Sequence, residues 1–331
     1  MTEVEPLDVG ALADVAGPRV RGLLARVEER LLELSSSAGP VLGRYARGTI
    51  AAGGKRLRPL LVLIAAGPTE PDADAGLVRA AVAVELVHGA TLVHDDVLDA
   101  ATLRRGQPTV AAAAGRDVAL ATGDLLFARA FAELSGGGSA AQVKVLSEAS
   151  SALARGELMQ RHDAFDPTVT VERYLARCEL KTARLFEAAC ALGALAANGD
   201  GDGDVAALTA FGRSVGLAFQ ILDDVLDVTG PAERTGKRPG TDLLDGTVTL
   251  PFILARERDP QLAALDPRTI TTPERAAEIC ALIAASGALQ RSRERALEQV
   301  EAAKSRLPDR LDGGRRHALE LVADGVVSRY A

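Results

Sequence analysis

Apolar residues recur at helical spacing along almost the whole chain. Val20, Leu23, Leu24, Val27, Leu31 and Leu32 form one stripe of the i, i+3, i+4, i+7 kind, which predicts an amphipathic helix. Residues 77–99 are apolar on nearly every side, as in a helix buried all round. The same period predicts helices near 115–134, 139–162, 170–197, 204–228, 247–258, 273–287, 289–305 and 314–329. Between them fall runs rich in Gly, Pro and Asp: GPTEPDADAG at 67–76, SGGGS at 135–139, NGDGDGD at 198–204 and GPAERTGKRPGTD at 230–242. No stretch alternates as a strand would, and no long polar linker divides the chain. The expectation is one all-α domain over residues 1–331, with 1–15 as a poorly ordered tail.

Composition narrows the class. At 331 residues and 47% hydrophobic, the chain can bury a large core. Aromatics are 3% with no Trp, so Ala and Leu fill that core, which suits close helix packing and an apolar tunnel equally. A net charge of −7 argues against a general nucleic-acid surface. Cys178, Cys190 and Cys280 lack paired or CxxC spacing and only four His are present, which points away from zinc and towards buried thiols in a reducing cytoplasm. The acidic N-terminus carries no signal pattern. No uncharged run approaches the ~18–20 residues of a membrane span.

The chemistry lies in an acidic pattern that occurs twice. Residues 94–99 read HDDVLD and 223–227 read DDVLD. Asp95 and Asp99, and likewise Asp223 and Asp227, are four apart, which stacks two carboxylates on one helix face about a turn apart. Both copies close apolar, alanine-rich stretches, where ionised carboxylates need a neutralising partner. A solvated helix end would explain one such motif but not two. Facing each other across a cavity, they would form an oxygen-lined site for hard cations, magnesium first, and for a substrate arriving as a metal–phosphate complex.

Cations accompany the carboxylates. Lys55, Arg56 and Arg58 follow two glycines in GGKRLRP, and Arg104 and Arg105 sit one loop after the first motif. Arginine grips phosphate bidentately, and glycine lets backbone approach a ligand. A salt bridge is the plainer reading for Arg56. Lys181 lies in an apolar helix, where it requires an anion, and a diphosphate would supply one. Lys237 lies in the loop at 230–242, a candidate lid.

The ordered set GGKRLRP (53–59), VELVHGATLVHDDVLD (84–99), RRGQPT (104–109), KTARLF (181–186), FGRSVGLAFQILDDVLD (211–227) and TGKRPGTD (235–242) resembles the trans-type isoprenyl and polyprenyl diphosphate synthases, from about residue 40 to 255. The resemblance implies one antiparallel helical bundle around a central apolar cavity. It implies that Asp95, Asp96, Asp99, Asp223 and Asp227 hold magnesium, about three ions per site, against an allylic diphosphate, with Asp224 acting through water. Arg104, Lys181 and Lys237 would grip that diphosphate. Lys55, Arg58, His88 and Arg105 would bind isopentenyl diphosphate beside Gly54, and Thr182 and Gln220 would face the reacting carbons. Without the resemblance, His88 reads as a satisfied core histidine. The implied reaction ionises the allylic diphosphate, adds the isopentenyl double bond to the cation and then loses a proton. One departure stands out: Thr247 occupies the place where many relatives carry a Lys, so a diphosphate contact is lost or passes to Arg238.

The residues before the first motif bear on product length. Ala90 and Thr91 are small where short-chain members often place an aromatic, Leu86 lies about one 5.4 Å turn further, and Phe127 and Phe131 are candidates for a floor. The resemblance is greatest to medium- and long-chain synthases, implying a product of about thirty carbons or more, with a twenty-carbon product as the alternative. A terpene cyclase would lack GGKRLRP and the second Asp motif. A non-catalytic subunit of a heteromeric synthase would usually have lost acidic residues. A P-loop fails because Arg238 follows Lys237, and calcium binding at NGDGDGD fails because Phe211 stands at the twelfth position. A homodimer is expected by resemblance.

Overall fold

The computed structural model describes residues 8–36, 39–51, 54–104, 106–198, 203–230 and 239–328. Arg105, Lys237 and Arg238 lie outside the described residues, as does most of the proposed lid loop. The chain runs through α1 (Val9–Val15), α2 (Pro18–Ser36), α3 (Leu42–Ala51), α4 (Leu57–Ala66) and α5 (Asp74–Leu98). A ribbon of two-residue strands, β1 (Leu103–Arg104) antiparallel to β2 (Gln107–Pro108), leads to α6 (Val110–Ala114), α7 (Arg116–Ser135) and α8 (Ala140–His162). Then come α9 (Val171–Cys178), a π turn (Glu179–Ala183), α10 (Arg184–Asn198) and α11 (Gly203–Thr229). The last part holds α12 (Thr241–Leu244), α13 (Leu250–Arg256), α14 (Pro260–Ala263), α15 (Pro273–Ala285), α16 (Ala288–Ser305) and α17 (Gly313–Ser328).

The fold is all-α, as the apolar period predicts, and local chemistry sets its boundaries. A 3-10 turn opening on Pro71 leads into α5, and Asp74 places a negative charge on its first turn. Ser139 and Gln142 close a capping box at the start of α8. One difference from the sequence reading matters. The expected helix over 170–197 is interrupted by the π turn, which holds Lys181 and Thr182. Such one-turn bulges gather at functional sites.

The helix α10 packs against α4, α5 and α11, and so stands between the two motif helices. α11 approaches very closely: a Cβ added to Gly216 would lie 2.6 Å from the Cα of Ala183, so only glycine fits there. Buried apolar residues form one contiguous cluster from Leu12 to Val326. The helical stretches Pro71–Leu98 and Asp204–Thr229 are long and apolar enough to cross a membrane by length and composition, but they spend much of that apolar surface on this core. They are the two that carry the acidic motifs.

Candidate active site

Both motif helices end at one cavity of about 860 Å³, within the range of ligand-binding pockets. Asp99, Asp223 and Asp227 line it, opposed by Gly54, Lys55, Arg58, His88 and Arg104. Leu92, Phe186 and Phe219 supply apolar wall. Asp99, Asp223 and Asp227 thus converge with Lys55, Arg58, His88 and Arg104 from positions up to 172 residues apart along the chain, whereas Asp95, Asp96, Lys181, Thr182 and Gln220 are not among the residues that line the cavity. Among the described residues, no three Asp, Glu, His or Cys side chains close into a preformed metal cage.

In the first motif the three aspartates have different surroundings. Neighbours on a helix point about 100° apart, so Asp96 cannot share the face of Asp95 and Asp99. Asp96 is buried and accepts a 2.7 Å hydrogen bond from Nε of Arg104. Asp99 is exposed and accepts from Arg161 at 2.6 Å. Asp95 is half-buried. Burial pushes its carboxyl up to about 7, with Glu157 and Asp99 adding to the rise and Lys181 opposing it.

Lys181 already has a carboxylate partner. Its Nζ lies 2.5 Å from Oε2 of Glu157, which also accepts at Oε1 from Nε of Arg161 at 3.1 Å. Burial works against the ammonium, but Asp95 and Glu157 outweigh it and raise its pKa. The anion that a Lys at this position requires is thus supplied within the protein by Glu157, where a diphosphate was the expected partner. Glu157 and Arg161 were not anticipated, although their i, i+4 spacing near the end of α8 was a visible signal.

The second motif repeats the division. Asp223 and Asp227 face the cavity, while Asp224 is 5% exposed and points into the protein. The hydroxyl of Tyr174 donates to it at 2.7 Å and Nε2 of Gln220 at 2.8 Å. Gln220 in turn accepts from the hydroxyl of Thr182 at 2.6 Å. A hydrogen-bonded chain Thr182–Gln220–Asp224–Tyr174 therefore ties the π turn to α11. Burial, then the charges of Asp242 and Asp223, push the Asp224 carboxyl well above the usual carboxylate range. The backbone N–H of Asp242 donates to Oδ2 of Asp227 at 3.1 Å, and Asp242 and Asp245 join the cavity wall. Their i, i+3 spacing in TDLLD was the signal that the sequence reading passed over.

On the basic side, the Arg58 guanidinium sits 4.4 Å above the Phe186 ring centroid, which orients it by cation–π attraction. Arg56 is engaged by Glu28 and Glu85, the salt-bridge reading made from sequence. Thr247 is half-buried and outside the cavity lining, its N–H bonded to the Asp242 carbonyl at 2.8 Å. Among the described residues, no tunnel is open at Ala90. Ala90 and Leu86 are fully buried, Thr91 bonds back to the His88 carbonyl, Phe127 and Phe131 pack on the core, and none of the five lines the cavity. The cause is close packing of α5 on α7: His94 occupies the space over Gly123, and Leu126 comes within 3.8 Å of a Cβ at Gly89.

A helical fold that brings two carboxylate motifs and a set of cations to one cavity defines an enzyme of diphosphate chemistry. The family model described as polyprenyl synthetase matches residues 40–285, and the chain belongs to that family of prenyltransferases. Heptaprenyl diphosphate synthase component 2 of Geobacillus stearothermophilus is 43% identical over 81% of this chain and 84% of its own length. Octaprenyl diphosphate synthase of Escherichia coli is 34% identical over 92% and 95%. A crystal structure of polyprenyl synthase from Caulobacter crescentus CB15, complexed with calcium and isoprenyl diphosphate, superposes with a TM-score of 0.90 at 36% identity, covering 96% of this chain and 98% of that one.

Proposed function

We propose that this enzyme condenses isopentenyl diphosphate with an allylic diphosphate in a magnesium-dependent reaction and elongates the product to about thirty carbons or more. The observation that carries this reading is the shared cavity, with Asp99, Asp223 and Asp227 facing Lys55, Arg58, His88 and Arg104. Asp95 and Asp96 are assigned to the same metal site by resemblance, Asp95 from the helix face it shares with Asp99 and Asp96 from its buried place against Arg104. This donor set is hard oxygen on two opposed helices, and it fits a cation that keeps waters and bridges to phosphate oxygens.

Bound magnesium would neutralise the charge that develops on the leaving diphosphate. Arg104 and Lys181, exchanging their present carboxylate partners, grip that diphosphate, and Arg105 and Lys237 are assigned the same neighbourhood by resemblance. Lys55, Arg58 and His88 hold isopentenyl diphosphate. Thr182 and Gln220, held by their mutual hydrogen bond, are assigned the allylic cation by resemblance, while Phe186, Phe219 and Leu92 on the cavity wall keep water from quenching it. Medium-to-long product length is supported by the names of the heptaprenyl and octaprenyl relatives. We propose a homodimer. A heteromer is the second reading, favoured by the Geobacillus relative being a component of a larger synthase.

Incubating the protein with labelled isopentenyl diphosphate, magnesium and farnesyl or geranylgeranyl diphosphate, followed by product sizing, tests the reading. Condensation that needs magnesium and is abolished in Asp95→Ala and Asp223→Ala supports it. No product with any primer, for the chain alone or with candidate partners, refutes it.

A further inference from the structure

Arg56 lies between Lys55 and Arg58 in sequence but is engaged quite differently. It sits just before α4 with φ 49° and ψ 29°, the left-handed region that residues with a Cβ occupy at a cost. Its side chain holds it there. Nε donates to Oε1 of Glu28 at 2.5 Å and Nη2 to Oε2 of the same residue at 3.2 Å. Nη1 donates to Oε1 of Glu85 at 2.8 Å, and Nη2 also reaches the Ile50 carbonyl at 2.9 Å. The arginine side chain is 13% exposed and that of Glu85 is 7% exposed. Four hydrogen bonds commit most of the fork to protein acceptors, and two carboxylates more than cancel its charge. Arg56 is therefore a poor anion ligand.

The partners define its role. Glu28 is on α2, Ile50 is in the last turn of α3, and Glu85 is on α5 three residues before His88. Glu85 and His88 share a helix face, and both border the active cavity. The guanidinium thus fastens the loop bearing Lys55 and Arg58 to the turn of α5 that presents His88. We propose that Arg56 is a positioning residue for the isopentenyl diphosphate half of the site, a clamp that sets the spacing of Lys55 and Arg58 from His88. The proposal rests on the function assigned above.

Steady-state kinetics of the full chain, with each substrate varied in turn, tests it. Arg56→Gly keeps the left-handed backbone without strain and removes the clamp, together with the part of the cavity border that Arg56 supplies. The KM for isopentenyl diphosphate is expected to rise about tenfold or more, while kcat and the KM for farnesyl diphosphate stay within about threefold. Arg56→Lys should recover part of the loss, because it restores charge without the fork. Glu85→Gln should move the same KM in the same direction. An unchanged isopentenyl KM in Arg56→Gly, or an equal loss for both substrates, overturns the proposal in favour of a purely structural role. If Arg56→Gly does not fold, Glu28→Gln, at the more exposed end of the clamp, carries the same test. Condensation by the wild type is the control. Its absence removes the proposed function and the clamp together, whereas an active wild type with unmoved KM values removes the clamp alone.

Discussion

Gly156 offers a direct way to perturb the pairing of Lys181 with Glu157 and Asp95 without touching a charged group. It lies in α8, one residue before Glu157, against the π turn. A Cβ there would stand 2.5 Å from the backbone nitrogen of Lys181, 2.8 Å from its Cα and 2.9 Å from the carbonyl carbon of Leu180. All three are backbone atoms, so no side chain can swing aside. Restoring ordinary contact at ~3.5 Å requires the seam to open by about 1 Å. Overpacking of that kind costs about 1–3 kcal/mol. Scaled by the usual unfolding entropy per residue, a chain of this length should lose about 1–4 °C in Tm. The larger effect should be on catalysis, since Lys181 would move with the seam relative to Asp95 and Glu157, and a 1 Å misplacement can cost about 10²-fold. Gly22→Ala is the control: Gly22 is exposed in α2 with nothing within 4 Å of its added Cβ. That variant should gain about 0.5–1 kcal/mol from helix propensity and keep wild-type rates. Thermal denaturation and kinetics on the two variants decide the matter. Wild-type Tm and turnover in Gly156→Ala would refute the reasoning.

Three further outcomes are expected. Ala90→Phe should shorten the product measured by chromatographic sizing, because residue 90 lies about 7.5 Å along the helix from Asp95, where a growing chain would have to part α5 from α7; an unchanged length would place elongation elsewhere. In chelator, the Tm advantage of the wild type over Asp95→Asn should shrink as pH rises from 5 to 8. The folded Asp95 carboxyl titrates at about 7, above its unfolded value, so its contribution is complete at low pH and lost as the group ionises in its buried site; a pH-independent difference would contradict this. Cys178, Cys190 and Cys280 are buried, and burial pushes the Cys190 and Cys280 thiols up to about 12, so Ellman titration should find no fast thiol in the native protein and three after denaturation.

The fold was legible because helical period survives in composition: α5, α7, α8 and α11 begin and end within a few residues of their apolar runs. The carboxylate pairs were legible because i, i+4 spacing is itself a statement about a helix face. Asp96 and Asp224 turning inward follows from the same geometry, since the second Asp of each adjacent pair must leave that face. The ion pairs of Lys181 and Asp99 were not legible, because Glu157 and Arg161 come from a helix that packs there only in three dimensions. The closed seam at Ala90 depends on how nearly α7 approaches α5, which no local pattern encodes. The ribbon at 103–108 is too short to leave an alternating trace.

The π turn at Glu179–Ala183 amounts to a helix with one residue too many. Everything after it, including Phe186 on the cavity wall, is rotated relative to Tyr174 and Cys178 by that single addition. Removing one residue from this stretch would return an unbroken α-helix from 171 onwards, locally more regular, and would turn Lys181 and Thr182 away from Glu157 and Gln220 by up to about 100°. A shortened chain of this kind would gain in fold regularity what it lost in chemistry. Comparing stability with activity in single-residue deletions across 179–183 would make that trade measurable.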